Sequence, residues 1–224
     1  MTEDIFYQLA SLDNRVWSSF LLKADLLYDR IPSNERIIII EKAVEYGKAK
    51  AALWLNKYKG KKFEAQLKKT GVTIVENKKH QKPPVILLAF YESKAKQIEI
   101  FTDAVALVCS TMPKKMNETY GMQLTNPDVI REIVLAHECF HMLDFRDEKK
   151  PSRYSISYKI GPLKRTASIH KFDEIAATTF VEEVCGLQFN PTILNVALME
   201  SYDSKNTVRF IEHLEMIQKE LKVP

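Results

Sequence analysis

The sequence lacks a disulfide framework, a CxxC pair and any apolar run that could cross a membrane. Its three cysteines, Cys109, Cys139 and Cys185, are widely spaced, so we expect reduced and mostly buried thiols. No apolar run approaches the roughly 18 residues of a membrane span, and acidic residues stand where a signal peptide needs a basic region. These absences predict a soluble, cytoplasmic protein without a membrane partner.

The excess of positive charge is small, with a formal net charge of +4, and it is concentrated in lysine-rich runs at 57–62, 67–69 and 77–82. Binding to nucleic acid would need aromatic platforms or a recognisable reading helix beside such runs, and neither is clear in this sequence. There is also no confident helix-turn-helix pattern. We therefore expect a solvated basic face and no nucleic-acid binding.

The length of 224 residues and the hydrophobic fraction of 46% suit one domain with one sizeable core, spanning 1–224. Apolar residues at helical spacing predict helices at 16–28, from about 35 to 58, and at 207–221. We find no internal repeat. The first eighty residues and the C-terminal end are therefore predicted to be helical.

The middle of the chain predicts a small sheet. The segment 61–77 reads as a short helix that stops near Gly71 and continues into a β-branched strand. Two further strands, 84–92 and 97–103, flank a turn, which predicts an antiparallel three-stranded sheet. The segment 146–170 shows no periodicity and is expected to be an irregular connection. Together these elements predict a mostly helical α+β fold.

The clearest helix start lies before the segment "VLAHECFHML". Asn126 suits an N-cap, Pro127 suits the first helical position, and Asp128 complements the positive helix end. On this helix His137 and His141 lie about 40° apart in projection, so both imidazoles can reach one metal ion. The spacing predicts two ligands of one metal site.

Glu138 directly follows the first histidine and is turned by about 100° from it on the helix. Two imidazole ligands, an open coordination position and a nearby carboxylate suit a zinc-activated hydrolytic water. If the third ligand of the metal is a carboxylate from elsewhere in the chain, the set of two imidazoles and one carboxylate favours Zn²⁺ over other divalent ions. Glu138 is thus the candidate catalytic base.

A second interpretation remains open for the same helix. Ile130, Val134, His137 and His141 continue one helical stripe, so the histidines could simply pack in the core of a helical interaction protein. Cys139 faces away from this stripe and is expected to be core packing. The second interpretation predicts that the protein binds no metal.

A catalytic zinc site needs a third protein ligand. A third histidine six residues beyond His141 is excluded, because that position is Asp147. A glutamate on the following helix is the other common solution. Glu174 opens such a helix, and the small Ala177 one turn later allows close helix packing.

Other polar residues in this part of the chain receive other expected roles. Glu182 and Glu183 are rival ligands, but they lie further along the helix and are expected to face solvent; Asp173 is expected to cap the helix. A hydrolase also needs a donor to the developing oxyanion. The candidates, with His170 as the first choice, are Tyr154, Tyr158, Arg165 and His170.

The pair of segments "HECFH" and "EIAATTFV" resembles the ImmA/IrrE-type metallopeptidases of bacteria and their mobile elements. In that family a glutamate-zincin motif is followed by a helix reading E-x-x-A-x-x-F-A. Glu174, Ala177 and Phe180 match this pattern, and Val181 occupies its last position. Phe140 stands where the family commonly has glycine. The small sheet ahead of the motif is also similar.

The resemblance covers about residues 36–192, which would form a metallopeptidase core between a helical N-terminal extension, 1–35, and a helical C-terminal segment, 193–224. It implies a zinc ion held by His137, His141 and Glu174, with Glu138 as general base and acid. It also implies a cytosolic peptidase that acts on a regulatory protein such as a repressor. The alternative is a zinc-binding interaction module of the same fold without turnover.

Overall fold

A computed structural model describes residues 3–58, 63–78, 81, 86–147 and 154–222 of the chain. Helices dominate the described residues. In chain order they are α1 (Glu3–Ala10), α2 (Asn14–Lys23), α3 (Ser33–Lys57), α4 (Phe63–Lys68), α5 (Thr102–Thr111), α6 (Lys114–Tyr120), α7 (Pro127–Arg146), α8 (Lys171–Cys185), α9 (Ile193–Tyr202) and α10 (Ser204–Lys222). The strands are β1 (Thr73–Asn77), β2 (Ala89–Glu92), β3 (Gln97–Phe101), β4 (Ser155–Ile160) and β5 (Leu163–Ser168).

This architecture confirms the predicted α+β class with a helical majority, and it adds helices that the sequence pattern did not predict. Of the predicted helices, 35–58 is α3 and 207–221 lies within α10. The pattern at 16–28 is shared between α2 and a short 3₁₀ turn, Tyr28–Arg30. In the part of the chain that the structure describes, no helix is both long and apolar enough to span a bilayer.

The three-stranded sheet has the order β1-β3-β2, and its predicted antiparallel character is wrong for one pair. β2 and β3 form the expected hairpin, with Ala89 opposite Ile100. β1 pairs in parallel with the other edge of β3, with Thr73 opposite Gln97. A local pattern identifies a hairpin, but it does not fix the edge or direction in which an earlier strand joins. β2 begins at Ala89, and residues 84–85 of the predicted strand 84–92 lie outside the described residues.

The predicted irregular connection contains an antiparallel hairpin, β4–β5, which is a correction to the sequence analysis. Ile160 pairs with Leu163, so two residues form the turn, and the first of them, Gly161, has φ of 58°. Glycine adopts that conformation without steric cost. The hairpin escaped prediction because β5 is largely exposed and both strands are rich in polar residues, so neither shows the apolar alternation of a half-buried strand.

The helix that carries the predicted ligand Glu174, α8, is positioned by close packing against α3. A Cβ atom on Gly47 of α3 would lie 2.4 Å from the backbone oxygen of Ala176 and 2.9 Å from the Cβ of Thr179. Glycine is therefore required at this crossing for steric reasons. α7 also packs against α8, and Tyr46 of α3 donates a 3.0 Å hydrogen bond to Asp144 of α7.

The terminal helices belong to the same core as the centre. Buried apolar side chains form one cluster that runs from Phe6 in α1 to Ile217 in α10. Trp17 of α2 is fully buried and packs near Phe210 of α10, with ring centroids 6.2 Å apart. The chain outside 36–192 is therefore built into the core that supports the central helices.

Candidate metal centre

The helix that carries the two histidines begins as the sequence predicts. The side chain of Asn126 accepts a hydrogen bond of 2.9 Å from the backbone N–H of Asp128, and Pro127 occupies the first helical position. Ile130 and Val134 are buried on the inner stripe of α7. This stripe anchors the helix in the core and brings its later turns to the wall of a cavity.

His137, His141 and Glu174 converge, as predicted. The Nε2 atoms of the two histidines are 3.1 Å apart, and Nε2 of His137 lies 3.6 Å from Oε2 of Glu174. One ligand atom from each of the three residues lies within 4.8 Å of the others. Two ligand atoms bound to a tetrahedral zinc ion at about 2.0–2.1 Å are separated by roughly 3.3 Å. The group could therefore hold a metal ion.

Both imidazoles are held in the neutral form that binds metals. Burial, together with the neighbouring His141, lowers the pKa of His137 to about 4. Burial also lowers the pKa of His141 below its ordinary value. At neutral pH each ring thus presents a nitrogen lone pair, which coordination of a metal ion requires.

Glu138 lies beside this group and is almost completely buried, with 7% of its surface exposed. Burial is the main reason why its pKa is raised to about 8, and the nearby Glu174 adds to the increase. The backbone N–H of Tyr91 in β2 donates to the carboxylate and opposes this shift. A carboxyl group with a pKa near neutrality can both accept and return a proton.

A cavity of about 480 Å³ opens onto His137, Glu138, His141 and Glu174. One wall is formed by β2 and the residues before it, and the base is formed by α7 and α8. The remaining wall comes from distant parts of the chain. That wall consists of Leu21 of α2, Pro191 and Thr192 before α9, and Leu194 and Asn195 in the first turn of α9.

The edge of β2 that faces away from β3 borders this cavity. Leu88 accepts a hydrogen bond from the N–H of Phe101, so the backbone groups of Ala89 and Tyr91 point to the opposite edge. The contact between the Tyr91 N–H and Glu138 agrees with this direction. Among the described strands none pairs with that edge.

The structure does not bring the predicted oxyanion donor to the cavity. His170 is exposed, lies directly before α8 and is not among the residues that line the cavity. Of the other candidates, Arg165 is exposed on β5, Tyr154 stacks on Phe172, and Tyr158 lies under Arg30. The long connection placed these residues near the motif in sequence, but it folds as a separate hairpin.

The two rival ligands, Glu182 and Glu183, and the predicted helix cap, Asp173, lie away from the metal group. Glu183 faces solvent, as expected. Glu182 does not face solvent, which corrects the prediction: its carboxylate accepts 2.8 Å hydrogen bonds from the side-chain amides of Asn14 and Asn190. Asp173 lies inside the first turn of α8 and is not its N-cap. The helix begins two residues earlier than its sequence pattern suggested.

The three cysteines are free thiols, and Cys139 is fully buried in the core, as predicted. Burial raises the pKa of Cys185 to about 12, so this thiol is protonated at neutral pH. Cys109 and Cys185 are only partly buried. None of the three lines the metal cavity, so the site has nitrogen and oxygen ligands.

Sequence reasoning missed most of the cavity wall. The backbone N–H of Tyr91 carried a weak signal, because β2 was predicted next to the motif helix. Leu21 and the segment 191–195 carried none, because they are far from the motif in sequence and meet it only through tertiary packing. No family model, curated protein or solved structure matches this chain.

Proposed function

We propose that this protein is a zinc-dependent cytoplasmic peptidase of the glutamate-zincin type, similar to the ImmA/IrrE metallopeptidases. The observation that carries the proposal is the convergence of His137, His141 and Glu174 beside the buried carboxyl group of Glu138. Core packing of two histidines would not require a glutamate oxygen 3.6 Å from one of them. A two-histidine and one-carboxylate set is a common ligand set of catalytic zinc.

Bound zinc would supply Lewis acidity for the scissile carbonyl and lower the pKa of a coordinated water. The chain itself supplies the proton transfers. Glu138 accepts a proton from the attacking water and passes it to the departing amine, because its buried carboxyl group lines the same cavity as the three metal-ligand candidates. The N–H of Tyr91 orients that carboxyl group.

The edge of β2 supplies the alignment of an extended substrate. The backbone groups of Ala89 point towards the cavity and can pair with a peptide strand, as in β-strand addition. This mode of binding uses main-chain groups and therefore favours a peptide or an unfolded segment of a protein. A regulatory protein such as a repressor is the substrate that the family resemblance suggests.

The first experiment measures metal in protein purified without added metal. We expect about one zinc ion per chain in the wild type and a large loss of zinc in the Glu174→Ala variant. Glu183→Ala removes an exposed carboxylate from the same helix and should retain zinc. Absence of metal from the wild type after zinc is supplied would leave the two histidines as core residues and would remove the proposal.

Hydrolysis is tested on a mixture of peptides with the zinc-loaded wild type, by mass spectrometry of the products. The second candidate function, a zinc-binding interaction module without turnover, is favoured by one observation. None of the four candidate oxyanion donors lines the cavity. Zinc binding without any cleavage of peptides or unfolded proteins would support the module and contradict the peptidase.

A further inference from the structure

The helix that carries Glu174, α8, is not capped by the residue before it. His170 occupies that position, and its side chain makes no capping hydrogen bond. Glu174 lies in the first turn of the helix, where backbone N–H groups have no carbonyl partner within the helix and where helices fray. A metal ligand in this turn is therefore held rigidly only when another part of the chain binds these N–H groups.

Asp25, which lies in the turn after α2, supplies the missing partner. Its Oδ2 accepts a 2.9 Å hydrogen bond from the backbone N–H of Lys171, the first residue of α8 and 146 residues away in sequence. Its Oδ1 accepts a second 2.9 Å bond, from the N–H of Leu27. Both carboxylate oxygens are therefore engaged, and a negative charge at this position also suits the positive end of the helix.

The backbone of Asp25 is fixed as firmly as its side chain. The residue is only 6% exposed. Its N–H donates to the carbonyl of Leu22, and its own carbonyl accepts from the N–H of Tyr28. A buried carboxylate without partners would be costly, so the two N–H groups that it binds determine where it lies.

The turn that contains Asp25 also lies beside the metal cavity. Leu21, four residues earlier in α2, lines that cavity together with Glu174. α2 packs against α8 along the chain that follows Lys171. The bond from Asp25 therefore reaches α8 three residues before Glu174, at the end of the helix that carries the metal ligand.

We propose that Asp25 is a positioning residue for the metal group: its carboxylate fixes the first turn of α8 and thereby holds Glu174 against the two histidines. The inference rests on the zinc site of the proposed function, but it does not depend on turnover. Groups that bind metal must be held within about 0.5 Å of their productive geometry. Residues that orient metal ligands typically contribute roughly 10- to 100-fold to metal affinity. The N-terminal part of the chain then completes the metal centre without supplying a ligand.

Zinc affinity of the folded protein, measured by competition with a chromophoric chelator, tests the proposal. Asp25→Ser keeps a short acceptor for the N–H of Leu27 but does not reach Lys171, so zinc should bind roughly 10- to 100-fold more weakly. Asp25→Ala removes both bonds and should lose at least as much. Asp13→Ala is the control, because Asp13 caps α2 through the N–H of Arg15, and its zinc affinity should change by less than about twofold. Affinity within about twofold of wild type in either folded Asp25 variant would overturn the proposal.

Two further readouts separate positioning from a general loss of stability. The visible absorption of the Co²⁺-loaded protein reports the arrangement of its ligands, so the spectrum of Asp25→Ser should shift towards that of Glu174→Ala. In the metal-free protein, the amides of the first turn of α8 should exchange hydrogen about tenfold faster in Asp25→Ser than in wild type. Asp13→Ala should match wild type in both measurements. A wild-type spectrum and wild-type exchange in Asp25→Ser would overturn the positioning role.

The same measurements, made beside digestion of a peptide mixture, distinguish failure of this proposal from failure of the proposed function. Peptide cleavage by the wild type with undiminished zinc affinity in Asp25→Ser would retain the peptidase and overturn the role of Asp25. Weakened zinc binding in Asp25→Ser without any cleavage by the zinc-loaded wild type would support the role of Asp25 and contradict the peptidase. A wild type that binds no zinc would overturn both.

Discussion

Two carboxyl groups on neighbouring helices, Glu138 of α7 and Glu182 of α8, both have a raised pKa, but they differ in the hydrogen bonds that they accept. Burial raises the pKa of both, to about 8 for Glu138 and to about 7 for Glu182. Glu182 accepts hydrogen bonds from two amide side chains, those of Asn14 and Asn190. Glu138 has one backbone donor, from Tyr91, and faces the metal group.

The difference separates a structural carboxyl group from a reactive one. The two amides tie α8 to α2 through Asn14 and to the segment before α9 through Asn190, and these same two elements contribute Leu21 and Pro191 to the lining of the metal cavity. The hydrogen-bonding capacity of Glu182 is therefore used within the fold. The capacity of Glu138 is largely available to a substrate or a water in the cavity.

The largest expected difference between the two carboxyl groups is in activity, when each is replaced in turn by an amide. Glu138→Gln should reduce peptide hydrolysis by about 10²- to 10⁴-fold, the usual contribution of a general base, while zinc content stays near that of the wild type. Glu182→Gln should change hydrolysis by less than about threefold, because an amide can still bond to its neighbours. Turnover numbers measured beside zinc content distinguish these outcomes, and full activity in Glu138→Gln would refute its role as base.

The pH dependence of stability provides the second test. The raised pKa of Glu182 means that the native state retains a proton between about pH 4.5 and pH 7 that the unfolded chain has released. Its stabilisation is complete below pH 4.5 and is lost as the pH rises through about 7. From pH 5 to pH 8 we expect metal-free wild type to lose free energy of unfolding relative to Glu182→Gln, by on the order of 2 kcal/mol.

Urea titrations of both proteins at several pH values measure that difference. Glu138, His137 and His141 are present in both proteins, so their own titrations cancel in the comparison. Stability curves that run parallel for wild type and Glu182→Gln across this range would show that Glu182 titrates normally. Burial would then not be the dominant influence on the pKa of Glu182.

Local sequence patterns were sufficient to predict the helix that carries Glu138 and the three residues of the metal group beside it. Asn126 and Pro127 fix where α7 begins, and the spacing of His137 and His141 then determines that both rings share a face. Glu174 follows from the need for a third ligand on the next helix. Each of these inferences uses residues that are close in sequence or elements that follow one another, where helix geometry alone carries the argument.

The surroundings of Glu182 could not be predicted from local patterns. Glu182 was expected to face solvent, because nothing near it in sequence reveals that Asn14 lies against it. The direction of β1 and the position of Leu21 depend on the same kind of long-range packing. Contacts between distant segments are set by the whole core, so a hydrophobic pattern in one segment does not specify them.

The smallest expected effect concerns His170, the oxyanion donor predicted from sequence. Its side chain is exposed, makes no capping hydrogen bond to α8 and does not line the cavity that contains Glu138. His170→Ala should therefore change kcat and KM by less than about twofold, well below the cost of roughly 10²- to 10³-fold for loss of an oxyanion donor. A hundredfold fall in kcat with unchanged zinc content would mean that His170 reaches the cavity when substrate binds. In that event proximity in sequence to the metal helix would have been the better guide than the position of His170 in the fold.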